Sequence, residues 1–387
     1  MHCVCRAARC CVSSPACKPL CQAARAFATL LSIKQHFIML AVGAALPASI
    51  VGAAPISRVC GSLFVLRDHE RCVVPGICGN KARKLAALID AGSLPRRLVS
   101  HGGAQSNAML ALATLAQHSP QTTLRYHTKP LPEWLRAAPS GNLGRALRLG
   151  MELVEHGSAA EYEEAVAREA AGSGGDGTLF VPRGAAWPGA EPGVAALARE
   201  VLEWRDSRGG ADLDVVVAAG TGTTALFLAR HLSPHGCRVH AVPCVGDARY
   251  LARQMEQLDE ASGAVGLLPH TLCPPAAAAV PFGTPAAALL RSWTEAAAAG
   301  VFLDLVYGPV AWAAMDARGW CAAAAAAGPR GAGREVLYVN SGGHEGLDTA
   351  LRRYGRAGLL PPGVDAATAL ATARASASRA PKESEKM

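Results

Sequence analysis

A doubly wound α/β architecture is predicted by three observations. Short apolar runs alternate with longer helical stretches, several of those runs have no polar face, and three glycine-rich loops follow such runs directly. Strands that are apolar throughout belong in a parallel sheet covered on both sides. Regular β/α alternation supplies the helices that cover it. In such folds ligands bind in the loops just beyond the carboxyl ends of the strands, so the glycine-rich loops mark the candidate site.

The first 57 residues stand apart. They hold five Lys/Arg and no Asp or Glu, and residues 1–37 are rich in Ala, Ser and Cys, a composition expected of an organellar transit peptide, chloroplast or mitochondrial. The run "FIMLAVGAALPASIVGAAPI" is about long enough to cross a bilayer, but its prolines and small residues favour part of a long presequence over a membrane anchor. Removing this segment leaves 33 basic against 30 acidic residues, so the net charge of +8 is mostly N-terminal and the body is not expected to bind nucleic acid. Six of the 13 cysteines lie in the first 21 residues without a metal-binding frame; the others are scattered, and no disulfide framework or metal site is expected.

From residue 62, strands are predicted at 63–66, 96–102, 122–127, 177–182, 214–220, 238–244 and 335–341. Helices are predicted at 81–91, 106–117, 143–155, 191–205, 223–232, 246–260 and 285–299. Alanine-rich stretches at 276–279 and 322–333, and the polar end after 362, read as compositional drift and tail.

The three loops are "SHGGAQSN", "AAGTGTT" and "VNSGGHEG". Gly220, Thr221, Gly222, Thr223 and Thr224 end one strand and begin a helix. Glycines admit a phosphate to the backbone, and N–H groups and hydroxyls supply donors. The Walker spacing and its lysine are missing, so by itself this is equally an ordinary βα turn. Ser106 and Asn107 open the helix at 106–117, where free N–H groups suit a carboxylate; a serine there is also a common helix cap. Ser341 can donate to a ring nitrogen or merely begin a turn. To these is added "GNKARKL", which puts Lys81 and Lys84 one turn apart at the start of a helix, where the dipole disfavours cations unless an anion is present. A lysine in an electropositive, partly desolvated site becomes nucleophilic. A phosphate cradle, a nucleophilic lysine and a carboxylate loop together suit one phosphorylated, carbonyl-bearing cofactor, pyridoxal 5'-phosphate.

The combination of "GNKARKL", "SHGGAQSNAMLALATLA", "GTGTT" and "YVNSGGHEG", in this order over about residues 60–360, resembles the 1-aminocyclopropane-1-carboxylate deaminase/D-cysteine desulfhydrase family. That family belongs to the tryptophan-synthase-β-like, fold type II pyridoxal-phosphate enzymes. "YHTKPLPEWLR", "GNLGRALRLGMEL" and "VPRGAAWPGAEPG" look like a separate branch of deaminase-like proteins.

The resemblance implies two domains, each an open, twisted, mostly parallel sheet flanked by helices. Residues 58–94 and 191–361 would form the larger, cofactor-binding domain and 95–190 a smaller one closing over the cleft, with 362–387 a disordered tail. It implies that Lys81 holds the cofactor covalently, that Lys84 and the 220–224 loop hold its phosphate, and that Asn107 bonds its ring hydroxyl. Ala104, Gln105, Ser106 and Asn107 would grip the substrate carboxylate. Ser106 and Tyr307 would join Lys81 in catalysis.

Two departures bear on the activity. Gly308 stands where true deaminases carry a glutamate for the pyridine nitrogen, and Phe282 aligns with a second tyrosine. The loss of two polar groups favours D-cysteine desulfhydrase-like chemistry on a small amino acid over cyclopropane ring opening. A cofactor- or amino-acid-binding homologue without turnover is the alternative from another class; a nucleotide-binding module would explain neither Lys81 nor the serine loop. A homodimer is the family expectation. His101, His344 and Glu345 could tune the site or be structural, Trp187 and Trp312 could line it or be core, and Asp68 reads as a turn anchor.

Overall fold

The computed structural model describes residues 53–174, 177–321 and 334–379. The N-terminal segment expected to be a presequence, apart from 53–57, and the alanine-rich stretch at 322–333 therefore lie outside the described residues. Among the described residues no helix is long and apolar enough to cross a membrane.

The described residues form twelve strands: β1 (Ile56–Cys60), β2 (Leu63–Leu66), β3 (Cys72–Val74), β4 (Ile77–Cys78), β5 (Arg97–His101), β6 (Thr123–Thr128), β7 (Glu152–Glu155), β8 (Thr178–Val181), β9 (Leu213–Ala219), β10 (Arg238–Pro243), β11 (His270–Thr271) and β12 (Glu335–Val339). Six form one sheet in the order β1-β2-β12-β9-β10-β11, and four form a second in the order β7-β6-β5-β8. All pairings in both are parallel except β1 with β2. Two mostly parallel sheets flanked by helices are the α/β architecture expected from the sequence.

The central strands are apolar because each of their faces meets a different core. In β2, Phe64 and Leu66 join Val215, Val217, Val239 and Val339 under helices Gly79–Lys84, Glu191–Ser207 and Thr223–Leu232. Leu63 and Val65, the alternate residues, join Val216, Val242, Val336 and Tyr338 on the other face, beneath helices Ala287–Ala298, Gly308–Asp316 and Leu347–Arg356. Period-two alternation thus divides one strand between two apolar layers.

Several expectations are corrected. The predicted helix at 143–155 is helix Gly141–Arg148 followed by β7. Gly150, at φ +85°, reverses the chain, and Met151 N–H closes on Ala146 O. β7 is an edge strand whose charges are engaged: Glu152 pairs with Arg125, and Glu155 accepts from Arg136 and Leu131 N–H. The expected disordered tail contains helix Ala366–Arg379, which buries Ala373 in the second apolar layer and packs Ala366, Ala369 and Leu370 against it, a narrow apolar face despite its polar composition. The body begins within the expected targeting segment: Ala54 is buried, its N–H bonded to Glu200, and Ile56 and Ser57 belong to β1. Finally, β3 and β4 form a hairpin in which the register partners Cys72 and Cys78 are disulfide-bonded, against the expectation of no disulfides. A six-residue separation across a tight hairpin carries no composition signal.

Candidate active site

The three loops and the lysine helix meet in one cavity of about 490 Å³, lined by residues that follow strands of both sheets. Lys81, Lys84, Gln105, Ser106, Asn107, Gly220, Thr221, Gly222, Thr223, Thr224, Tyr307 and Ser341 all line it. Of the residues singled out in the sequence for the site, Ala104 is the one outside the lining; it packs against the core.

The helix Gly79–Lys84 starts from Cys78, whose backbone is extended, and Gly79 adopts φ +58° with its N–H on Arg71 O. A side chain at Gly79 would collide with the Ser341 carbonyl, which accepts Asn80 N–H at 3.0 Å. Glycine therefore lets the lysine helix abut the loop after β12. Burial pushes the Lys81 ammonium down to about 8, with Glu345, across the cavity, opposing the shift. Lys84 is also driven well below the ordinary lysine range, by burial first and by the Lys81 charge second. Its Nζ donates to Gly184 O at 3.2 Å. Gly184 in turn lies against Thr221, so the second lysine reaches the side of the GTGTT turn.

Between the two lysines, Arg83 faces away from the cavity. It is 2% exposed and donates to both Asp68, at 3.0 and 2.9 Å, and Glu200, at 2.6 and 2.7 Å. Asp68 is therefore an anchor, but of the lysine helix rather than of its own turn. Trp187 also anchors it, its indole N–H donating to Lys84 O at 3.0 Å.

In the GTGTT turn, Gly222 takes φ +74° as the cap of helix Thr223–Leu232. The hydroxyls of Thr221 and Thr223 lie 2.8 Å apart, and Thr224 Oγ1 is buried with no partner among the described residues. A buried, unpartnered hydroxyl beside unpaired first-turn N–H groups and a buried lysine is a donor set that fits a phosphate.

Ser106 caps helix Asn107–Gln117, its Oγ accepting Met109 N–H at 3.3 Å. The cap reading of the sequence is thus correct, and the same hydroxyl also lines the cavity. Ser106 N–H is committed to Gly103 O, so donors for a carboxylate come from the helix's first turn beyond it.

The opposite wall is built around Asp304. Its Oδ1 accepts from the N–H groups of Val306 and Tyr307 and its Oδ2 from that of Gly308. Burial holds this carboxyl above its usual range, and the three N–H groups oppose the shift. Burial likewise raises the Tyr307 phenol, with Cys244 and Asp304 adding to it. Phe282 packs on Tyr307 with ring centres 5.3 Å apart. A side chain at 308 would meet Leu303 Cβ at 2.8 Å, so the wall has no room there for a larger residue.

Of the residues left open in the sequence, Glu345 lines the cavity. His344 packs edge-on against His69 and bonds Phe302 O, His101 bonds Tyr162 at 2.7 Å, and Trp187 and Trp312 are core. Sequence reasoning did not find Arg183, Tyr250, Asp304, Thr349 and Arg353, which also line the cavity. "VPRGAA" after β8 was the available signal for Arg183, because it too follows the carboxyl end of a parallel strand.

No family model matches the sequence, and no curated protein matches it. The fold does have counterparts among solved structures. An ACC deaminase homologue aligns over 84% of this chain and 99% of its own, with a TM-score of 0.63 and 20% identity. A threonine deaminase from T.th. aligns over 75% and 92%, with a TM-score of 0.52 and 18% identity. A hydrogen sulfide-producing enzyme from Fusobacterium nucleatum aligns over 78% and 99%, with a TM-score of 0.51 and 12% identity. The fold class is therefore the one these proteins share.

Proposed function

We propose that the cavity binds pyridoxal 5'-phosphate through Lys81 and that the protein is a pyridoxal-phosphate-dependent lyase or deaminase of a small amino acid. The observation that carries this reading is a half-buried lysine one turn from a buried one, in the same cavity as an unpartnered threonine hydroxyl in a GTGTT turn and a serine-capped helix. The solved structures of like fold bear the names of an ACC deaminase homologue, a threonine deaminase and a hydrogen sulfide-producing enzyme, which supports the reaction class.

When bound, the cofactor supplies the electron sink that stabilises negative charge at the substrate Cα. The residues of the chain do the rest. Lys84 and the Thr221, Thr223 and Thr224 hydroxyls hold the phosphate. The first turn of helix Asn107–Gln117 binds the substrate carboxylate. Lys81, with a pKa lowered to about 8, would be neutral often enough near that pH to hold the cofactor and to accept the Cα proton. Ser106 and Tyr307, whose hydroxyls both belong to cavity-lining residues, would serve as proton donors. The substrate we favour is D-cysteine: loss of the Cα proton and the Cβ thiol, with one water consumed, yields a 2-oxo acid, ammonia and sulfide. Ring opening of 1-aminocyclopropane-1-carboxylate is the less favoured alternative, because Gly308 and Phe282 leave that wall without the two extra polar groups. In the same reading the N-terminal segment is an organellar presequence and the protein a homodimer.

The test is the visible spectrum of protein lacking its presequence, before and after D-cysteine, L-cysteine and 1-aminocyclopropane-1-carboxylate, with Lys81→Ala as control. A yellow band absent from Lys81→Ala, shifting with D-cysteine as keto acid and sulfide appear, is expected. Protein that stays colourless with added pyridoxal phosphate refutes the proposal. Ser106→Ala should lose turnover while keeping the band, and Ser106→Thr, which preserves the cap, should lose it too if the hydroxyl's place matters.

A further inference from the structure

The stretch "GNLGRALRLGMEL" contributes no residue to the cavity lining, yet its first two residues touch the residues that do. Gly141 takes φ +61°, and a Cβ there would collide with Gln105 Oε1 and Thr349. Asn142 is fully buried at the start of helix Gly141–Arg148. Its backbone N–H donates to Gln105 Oε1 at 2.9 Å, and its Nδ2 donates to Gln105 O at 3.1 Å and to Asn107 Oδ1 at 2.7 Å. Its own Oδ1 is buried with no partner among the described residues.

The polarity of this chain of bonds is dictated from one end. Gln105 O is a backbone carbonyl and can only accept, so the NH2 side of Asn142 must face it. That same NH2 then meets Asn107, which must answer with its oxygen. The NH2 of Asn107 is thereby turned the other way, toward Gly343, a cavity residue whose ideal Cβ position lies 3.2 Å from Asn107 Nδ2.

We infer that Asn142 is a positioning residue that fixes the amide orientation of Asn107, so that Asn107 presents a hydrogen-bond donor, never an acceptor, to the anionic ring oxygen of the cofactor. The inference rests on the pyridoxal-phosphate reading of the cavity. A wrongly turned amide would set its carbonyl oxygen against that ring oxygen, replacing attraction with repulsion. An apolar residue in place of Asn142 would leave Asn107 free to turn.

The experiment is a double-mutant cycle on cofactor binding. Asn142→Asp is isosteric but accepts only, so Asn107 must turn its NH2 toward it and its oxygen toward the cavity. The dissociation constant of pyridoxal phosphate should rise at least about tenfold, the loss of roughly one hydrogen bond. The pH midpoint of the visible band should shift, while the apoprotein still melts cooperatively. In an Asn107→Ala background the same change should have no further effect on either quantity. If Asn142→Asp does not fold, Asn142→Ala gives the cycle without an added charge. Unchanged affinity and band in the single variant, or an undiminished effect in the Asn107→Ala background, overturns the inference. Wild-type protein that fails to bind the cofactor fails the parent reading instead, so the two failures are told apart.

Discussion

Replacing Arg83 with leucine should unfold the lysine helix from its support, and the size of the effect follows from which carboxylate is stranded. Arg83 makes four hydrogen bonds, two to Asp68 and two to Glu200. The Glu200 side chain is 17% exposed and can re-solvate, whereas that of Asp68 is 0% exposed and cannot. Breaking a buried pair by removing one partner costs about 3–5 kcal/mol, because the remaining charge is uncompensated. The cost should depend on pH. Burial already raises the Asp68 carboxyl above its usual range with Arg83 opposing, so losing Arg83 raises it further. The pH-dependent part of the deficit relative to the wild type accrues between the Asp68 pKa of the folded wild type and the higher one of the folded variant, the unfolded value being common to both. It should therefore be largest at neutral to alkaline pH and shrink as pH falls toward the wild-type Asp68 value, itself above the usual aspartate range. Urea unfolding followed by tryptophan fluorescence at several pH values measures it. Adding Asp68→Asn should recover most of the loss. A loss below about 1 kcal/mol at neutral pH, or one independent of pH, would refute the reasoning.

Three further outcomes are expected. Gly193→Ala should gain about 1 kcal/mol of helix propensity, but its Cβ would strike the Arg83 carbonyl and come within 2.9 Å of Ala86 Cβ. The expected net loss of about 1–3 kcal/mol, read from urea midpoints, is contradicted by an equally stable variant. In the apoprotein, capture of pyridoxal phosphate by the Lys81 amine should accelerate with pH around a midpoint near 8; a midpoint above about 10, the free-lysine range, would show that burial does not govern it. Because this base is depressed in the fold, the unfolded chain binds more protons between those values, and apoprotein stability should rise across that window. Cys72→Ser should cost about 2 kcal/mol, the closure entropy of a loop of this length, with reductant having the same effect on the wild type. Equal thiol titres before and after reduction would show that the bond is not formed.

Which stretches would be strands and where ligand-binding loops would fall was legible in the chain, because both depend on local pattern. Strands such as β9 and β12 are apolar throughout their centres, and glycine must occur where the backbone turns at Gly222 or meets another loop at Gly79. The chemistry of the lysine helix was equally local, since Lys81 and Lys84 lie one turn apart. Less legible were elements whose residues gain meaning from distant partners. Helix Ala366–Arg379 looks like a polar tail until its alanines meet the second apolar layer, and β7 looks like the end of a helix until its glutamates meet Arg125, Arg136 and Leu131. The roles of individual polar groups were decided by tertiary structure alone. Arg83 lies between the two lysines in sequence, and only Asp68 and Glu200 make it the helix anchor. Asn142 acquires a directed side chain only from Gln105 and Asn107. Periodicity and turn chemistry act over a few residues and leave a mark in the sequence, whereas the pairing of buried polar groups depends on which side chain arrives opposite, and that is settled only when the sheets come together.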